Sequence, residues 1–303
     1  MRSTALQYKY PMLDPYTAGR DGIWTPPVPP SHRDADYDPG GFETLRAMQE
    51  RHFWYRGRHR FIFHFTRRIL DGPGRGGHTP AAVDGVDAVD LGGGCGGWVR
   101  YLAARAGNGL RELALADSSP RALALAAGVV PPASRRYLID LLNLQWADRW
   151  DLAFLLDVLE HIDEDEAVLR QIGQALRPGG HLVVATPAIE RFRSSLDDMT
   201  HHVRRYSRRD FARLASRTGL ELIASRYFMF FLSPLVWLTR VNGPDPAAMT
   251  PDAIRQYVDR SSRIPAAPVN AALAAVFAAE TPLGAWCPFP WGTSVLAVLR
   301  RPR

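Results

Sequence analysis

Across the middle of the chain, short apolar runs alternate with stretches in which apolar residues recur every three or four positions. The runs fall at residues 86–91, 113–116, 137–139, 152–156, 182–185 and 222–224. Their length suits buried strands and the intervening spacing suits helices, so the pattern predicts βαβ units and a parallel sheet covered on both faces. Residues 293–299 read as a last strand. Residues 228–287 read as an insertion before it, with helical stretches at 232–240 and 269–280, and no internal repeat is visible.

The start of the chain follows other rules. Pro11, Pro15, Pro26, Pro27, Pro29, Pro30 and Pro39 each fix φ and remove a backbone donor, which predicts an extended arm that stays out of the sheet. From Phe42 to Leu70 the prolines vanish, and Leu45, Met48, Phe53, Ile62, Phe65 and Ile69 repeat with helical spacing, with a break expected near Gly57. A Gly/Pro-rich linker follows at 71–80. The predicted organisation is therefore an arm (1–40), a helical cap and linker (41–80), an α/β domain (81–227 and 288–303) and a helical insertion (228–287). The fold expected is doubly wound α/β, with a mostly parallel seven-stranded sheet.

Composition narrows the functional classes. Cys95 and Cys287 lie far apart with no CxxC or Cys/His cluster, which argues against a disulfide framework or a zinc module. No signal-peptide pattern opens the chain and no apolar run approaches the ~18 residues needed to span a bilayer, so a soluble, cytoplasmic protein is expected. The net charge of +6 is carried almost wholly by arginine, Lys9 being the only lysine. Basic charge alone predicts non-specific attraction rather than a substrate, and nucleic acid is not the expected partner.

The strand ending in Asp90 and Leu91 runs directly into Gly92-Gly93-Gly94-Cys95-Gly96-Gly97, and a helix begins near Trp98. A glycine turn between strand and helix lets a ligand approach the backbone and meet the free N–H groups of the helix start. So many glycines cost too much chain entropy for a casual surface turn. Gly92, Gly94 and Gly97 also satisfy the G-x-G-x-x-G of dinucleotide binding, so the loop by itself leaves the ligand open.

The surrounding residues point one way. Asp90 ends the strand before the loop, Asp117 follows Leu115-Ala116, Asp140 follows Leu138-Ile139, and Leu176-Arg177-Pro178-Gly179-Gly180 precedes a strand. In order and spacing this set resembles the class I S-adenosylmethionine-dependent methyltransferases, over about residues 50–227 and the last strand. The resemblance implies that Asp90, Gly92, Gly94 and Gly96 approach the methionine part of S-adenosylmethionine. It further implies that Asp117, with Ser118 beside it, binds the ribose hydroxyls and that Asp140 with Leu141 meets the adenine. The competing reading of Asp117 is an ordinary helix N-cap.

Further segments, His52-Phe53-Trp54-Tyr55-Arg56-Gly57-Arg58, Asp157-Val158-Leu159-Glu160-His161, His202-Val203-Arg204-Arg205-Tyr206-Ser207 and Pro290-Trp291-Gly292-Thr293-Ser294, look like the small-molecule enzymes related to the ubiquinone-pathway O-methyltransferases. That likeness makes Trp54, Arg56 and Asp157 candidates for cofactor contact, the alternative being that Trp54 and Arg56 merely cover the sheet. Methyl transfer from a sulfonium needs mainly alignment, and a base matters only where the acceptor carries a proton. His161, and with it His202, are the candidate catalytic groups; His161 as a helix cap is the competing reading. Asp157, Glu160, His161 and His202 also resemble the ligand set of metal-dependent 2′-O-methyltransferases, which implies a possible divalent metal beside S-adenosylmethionine.

The expected acceptor is a small molecule methylated on oxygen. An RNA 2′-O-methyltransferase, and a non-catalytic or nicotinamide-binding protein, are the alternatives. The aromatic stretch 227–238 reads as an acceptor lid, a peripheral membrane contact or a core-covering helix. The insertion is expected on the acceptor side.

Overall fold

The computed structural model describes residues 15–28, 30, 41–70 and 85–303. Its strands are β1 (Thr17–Ala18), β2 (Ile23–Thr25), β3 (Val86–Leu91), β4 (Leu110–Asp117), β5 (Arg136–Leu138), β6 (Trp150–Leu156), β7 (Leu176–Pro187), β8 (Glu221–Phe228) and β9 (Ser294–Arg300). They form one sheet in the order β1-β2-β5-β4-β3-β6-β7-β9-β8. Pairing is parallel from β2 to β7. The last strand, β9, runs antiparallel between β7 and β8, and β1 is antiparallel on β2.

The helices are α1 (Gly41–Arg51), α2 (Phe53–Leu70), α3 (Gly97–Ala103), α4 (Pro120–Ala126), α5 (Asp165–Ala175), α6 (Ser195–Met199), α7 (Arg208–Thr218), α8 (Ser233–Arg240), α9 (Pro251–Ser261) and α10 (Ala267–Trp286). One core joins the sheet to α2, α3, α4 and α10 through Phe61, Trp98, Leu123, Phe154 and Phe277. The other joins it to α5 and α7 through Leu169, Ile172, Phe211 and Leu214. This is the doubly wound layering that the alternating pattern predicts.

The sheet has nine strands rather than seven, and the arm supplies the extra two. Between Pro15 and Pro26 no proline interrupts the chain, so backbone donors are available there. Gly19 N donates to Ile23 O at 2.8 Å to close a tight turn, and Ile23 and Trp24 then pair with Arg136 and Tyr137 of β5. Tyr16 packs against Tyr137 and Trp146, with ring centroids 5.2 and 4.8 Å away. The expectation that prolines keep the arm out of the sheet is thus corrected. The linker at 71–80 lies outside the described residues.

The helical cap breaks at His52, not at Gly57. Asn270 of α10 explains the position: its Oδ1 accepts from Phe53 N at 2.8 Å and its Nδ2 donates to Arg51 O at 2.9 Å. A side chain thereby satisfies the backbone groups that the break exposes. Gly57 lies inside α2, where a Cβ would stand 2.0 Å from Phe277 Cδ1, so the missing side chain serves the α2–α10 contact.

Two histidines of this cap make stability depend on pH. Burial lowers His52 to about 4 and, with Arg58 nearby, holds His59 well below the usual histidine range. Below about pH 6.5 the unfolded chain takes up protons that the folded chain refuses, so stability is complete above that pH and is lost as pH falls toward 4. Thermal melts between pH 7.5 and 5 should show a falling Tm, and His59→Gln should flatten the slope. A slope unchanged in that variant would remove His59 from the account.

Candidate active site

The strand order puts the ends of β3, β4, β5 and β6 side by side, because all four run parallel. Every candidate carboxylate of the sequence lies at that edge. Gly92, Gly94 and Gly96 adopt φ of +70, +56 and +79°, the left-handed region that favours glycine. Gly92 N donates to Ala116 O at 2.8 Å, so the loop turns back over β4 before α3 begins.

Asp117 ties this loop to the next one. Its Oδ2 accepts from Gly94 N and its Oδ1 from Ser119 N, both at 2.8 Å. The cap of α4 is Ser119, whose Oγ accepts from Ala122 N at 3.3 Å, so Asp117 is not the N-cap. Ser118 is exposed beside it. Asp140, half-buried just beyond β5, accepts from Leu142 N at 2.9 Å through Oδ1, and Leu141 packs on the core next to it.

Asp90 is the most telling group. It is almost completely buried, and its Oδ1 has no hydrogen-bond partner. Burial pushes its carboxyl up to about 8, the Arg58 cation opposing and Asp117 adding to the shift. A Cβ at Gly93 would stand 2.3 Å from Asp90 Oδ2, so the loop leaves this acid room only because it lacks side chains. An orphaned buried carboxyl under a glycine cradle suits a ligand that brings a positive charge or a donor.

Cap helices α1 and α2 lie over the loop. Gln49 Oε1 accepts from Gly97 N at 3.1 Å, and Phe42 O accepts from Cys95 Sγ at 3.4 Å. Burial pushes the Cys95 thiol up to about 11, so it is packing material rather than a nucleophile. The buried arginine of α2 is Arg58. Its Nε lies 3.0 Å from Asp157 Oδ2 without the alignment of a hydrogen bond, and its guanidinium sits 5.2 Å from the centroid of half-buried Trp54. Arg56 is exposed, because two positions along a helix turn a side chain to roughly the opposite face.

A second cluster forms where the connections after β6 and β7 meet. Ligand atoms of Glu160, His161 and His202 lie within 4.8 Å of one another. Glu160 is fully buried with both carboxylate oxygens unpartnered, and burial, reinforced by Asp157, raises its pKa well above the usual range. Burial, with His202 beside it, lowers His161 to about 4, so its imidazole is neutral near pH 7. Asp157 stands outside this cluster, paired with Arg58, so of the four candidate ligands three converge.

Asp197 is a contributor that the sequence reading missed. Its Oδ1 faces His202 Nδ1 at 2.9 Å, and Arg205 grips both of its oxygens at 2.8 and 3.0 Å. Those bonds hold the Asp197 carboxyl well below its ordinary range despite the burial that opposes them. With Nδ1 so engaged, Nε2 of His202 is left for the cluster, the arrangement in which a carboxylate orients a histidine ligand. No helix of the described residues is long and apolar enough to cross a membrane.

Residues 49–225 match the family described as a methyltransferase domain. In structure the chain is similar to a chain of the Haloferax volcanii complex between the Trm112 methyltransferase activator and a methyltransferase, with TM-score 0.53, 18% identity, and 90% of this chain and 100% of that one covered. It is also similar to a Galdieria sulphuraria protein described as a sarcosine dimethylglycine methyltransferase, with TM-score 0.48, 15% identity, and 78% and 85% covered. An S-adenosylmethionine-dependent methyltransferase from Mesorhizobium loti aligns with TM-score 0.46, 19% identity, and 78% and 96% covered. No curated protein matches the chain.

Proposed function

The chain belongs to the methyltransferase-domain family and is a class I S-adenosylmethionine-dependent methyltransferase, and from that premise we propose that it methylates a hydroxyl of a small molecule bound beside Glu160, His161 and His202. Family membership removes the nicotinamide-binding and non-catalytic alternatives. The observation that carries the acceptor reading is the convergence of a buried, unpartnered carboxyl and two imidazoles at the sheet edge that also holds the glycine loop.

S-adenosylmethionine supplies a methyl group on a sulfonium, already a good leaving group. The protein's own task is then mostly to bind and align. Gly92, Gly94 and Gly96 form the loop that meets the methionine part, Gly92 and Gly96 packing on Val158 and Val130 and Gly94 having only Leu45 near its Cβ position. Asp90 lies beneath them, and Asp117 and Asp140 stand at successive strand ends for the ribose and adenine. Arg58, rather than Arg56, is the cation placed to steady Asp157 and to pair a ligand carboxylate from inside the cap. Trp54 lies against that guanidinium.

Glu160, His161 and His202 fit a divalent ion, since one carboxylate and two imidazoles form a mixed donor set and both oxygens of Glu160 lack another partner. Such an ion would supply Lewis-acid chemistry, lowering the pKa of an acceptor hydroxyl. The base role belongs to the site without an ion: there His161, kept neutral by burial, is the group placed to accept a proton from an acceptor hydroxyl, and in either case Asp197 with Arg205 fixes the orientation of His202. Oxygen is the favoured target because a hydroxyl is the acceptor that gains from either a base or a cation.

Asp117→Asn keeps the volume but loses the charge and one of the two oxygens that accept from Gly94 N and Ser119 N, so affinity for S-adenosylhomocysteine should fall about 10–100-fold, the weight of one or two charge-assisted hydrogen bonds. Calorimetric titration measures it; unchanged affinity would take Asp117 out of the ribose site. The acceptor reading is tested by incubating the enzyme and labelled S-adenosylmethionine with catechols. Methyl ethers should form. Methylation confined to added RNA, with salt-sensitive RNA binding, would overturn the small-molecule reading.

A further inference from the structure

Beyond the methyl-transfer site, the far edge of the sheet carries a groove with its own chemistry. β8 is the last strand and pairs on one side only, with β9. An open groove of about 900 Å³ runs along it beside the first turn of α7, from Leu222 up to Ile189 and Pro290 near the carboxyl edge. Arg208, Arg209 and Arg226 line it, and no acidic residue does. Acids next to the lining residues are engaged elsewhere: Asp210 with Ser207 and Arg213, Glu221 with Arg300, and Glu190 with Arg193 and Arg205 N. Among the described residues, Arg208 and Arg209 make no ion pair.

Two buried donors on β8, one on each face of the strand, lack partners. Ser225 is 7% exposed and its Oγ has no hydrogen bond. Arg226 spends Nη1 on Ser225 O at 2.9 Å, but its buried Nε is unpartnered. A native protein rarely leaves such groups unmatched, and here they stand amid uncompensated positive charge.

We propose that this groove docks an extended acidic segment of a partner protein, added as a strand along β8. An edge strand offers free N–H and C=O groups to a partner backbone. The register shift between Leu222 and Ala224 confines regular pairing to residues 224–228. Side chains of the added strand alternate between the two faces of the sheet: carboxylates on the α7 face would reach Arg208 and Arg209, beside Ile223, 48% exposed, and Ala212, and a carboxylate on the opposite face would reach Arg226.

The other occupants fit less well. A second copy of this chain would bring the same arginines face to face with no acid between them. A single-stranded nucleic acid wants rings to stack on, yet the only aromatic lining the groove, Tyr227, is 8% exposed and its hydroxyl accepts from Arg208 N at 3.2 Å.

The test uses the full chain and a fluorescent peptide that repeats valine-glutamate-glutamate, so that carboxylates stand on both faces of the added strand. Anisotropy should show binding that weakens with salt, and amide exchange at 224–228 should slow in the complex. Arg208→Glu combined with Arg226→Glu should weaken binding at least about tenfold, the scale expected for losing close charge pairs, and leave S-adenosylhomocysteine affinity unchanged as proof of folding. Four results would each overturn the proposal: no peptide binding, equal affinity in the double variant, tighter binding of poly-uridylate dependent on the same arginines, or a dimer in sedimentation that the double variant abolishes.

Discussion

Gly94→Leu should abolish measurable binding of S-adenosylhomocysteine, a loss of more than about 100-fold, while the protein still folds. The loop glycines are not equivalent. A Cβ at Gly93 would meet Asp90 at 2.3 Å and one at Gly96 would meet Val130 at 2.3 Å, so changes there strike the packing itself. At Gly94 the nearest atom is Leu45 Cδ2 at 3.2 Å, the far end of a movable side chain. The φ of +56° adds a strain of roughly 1–2 kcal/mol for a residue with a Cβ, a loss of only a few degrees in Tm. Binding suffers far more, because the leucine side chain would fill the space opposite the loop that the ligand needs. Calorimetry with a parallel thermal melt separates the two effects. Retained affinity in a folded variant would mean that the loop is not where the cofactor sits.

On the reading proposed for Glu160, His161 and His202 as holders of a divalent ion, a chelator should cost nearly all activity. Methyl transfer is expected to stop in a chelator and to return when a divalent ion is restored, and Glu160→Gln should lose more than about 100-fold in a way that added metal does not rescue. The reasoning rests on burial. Glu160 carries two unpartnered oxygens in a fully enclosed position, which is costly unless a cation or a proton compensates. The glutamine keeps the volume and removes the charge, so its Tm should hold or rise while activity falls. Full activity in chelator would return the cluster to general-base chemistry by His161 alone.

Much of this arrangement could be read from the chain because buried parallel strands are short apolar runs and their carboxyl ends are marked by acids: Asp90, Asp117 and Asp140 stand where the pattern puts them. What escaped depended on contacts made across the fold. β1 and β2 are two and three residues long, too short for periodicity to reveal, and they exist because β5 offers an edge. The break at His52 follows from Asn270, more than two hundred positions away. Arg58 rather than Arg56 faces inward because helix phase is set by packing against α10 and the sheet, not by the local motif. Asp197 orients His202 from five positions earlier, and no motif announces that role. The helix α9 was missed despite a visible signal, Thr250 as N-cap with Pro251 at the first helical position. It buries no residue, so hydrophobic periodicity gave little to find.

The most direct measurement is a crystal structure grown with S-adenosylhomocysteine. The account predicts the amino acid part against residues 92–97 above Asp90, ribose hydroxyls on Asp117, adenine beside Asp140 and Leu141, and the sulfur facing the side where Glu160, His161 and His202 converge. A ligand bound elsewhere, or one at the loop whose sulfur turns away from that cluster, would contradict it.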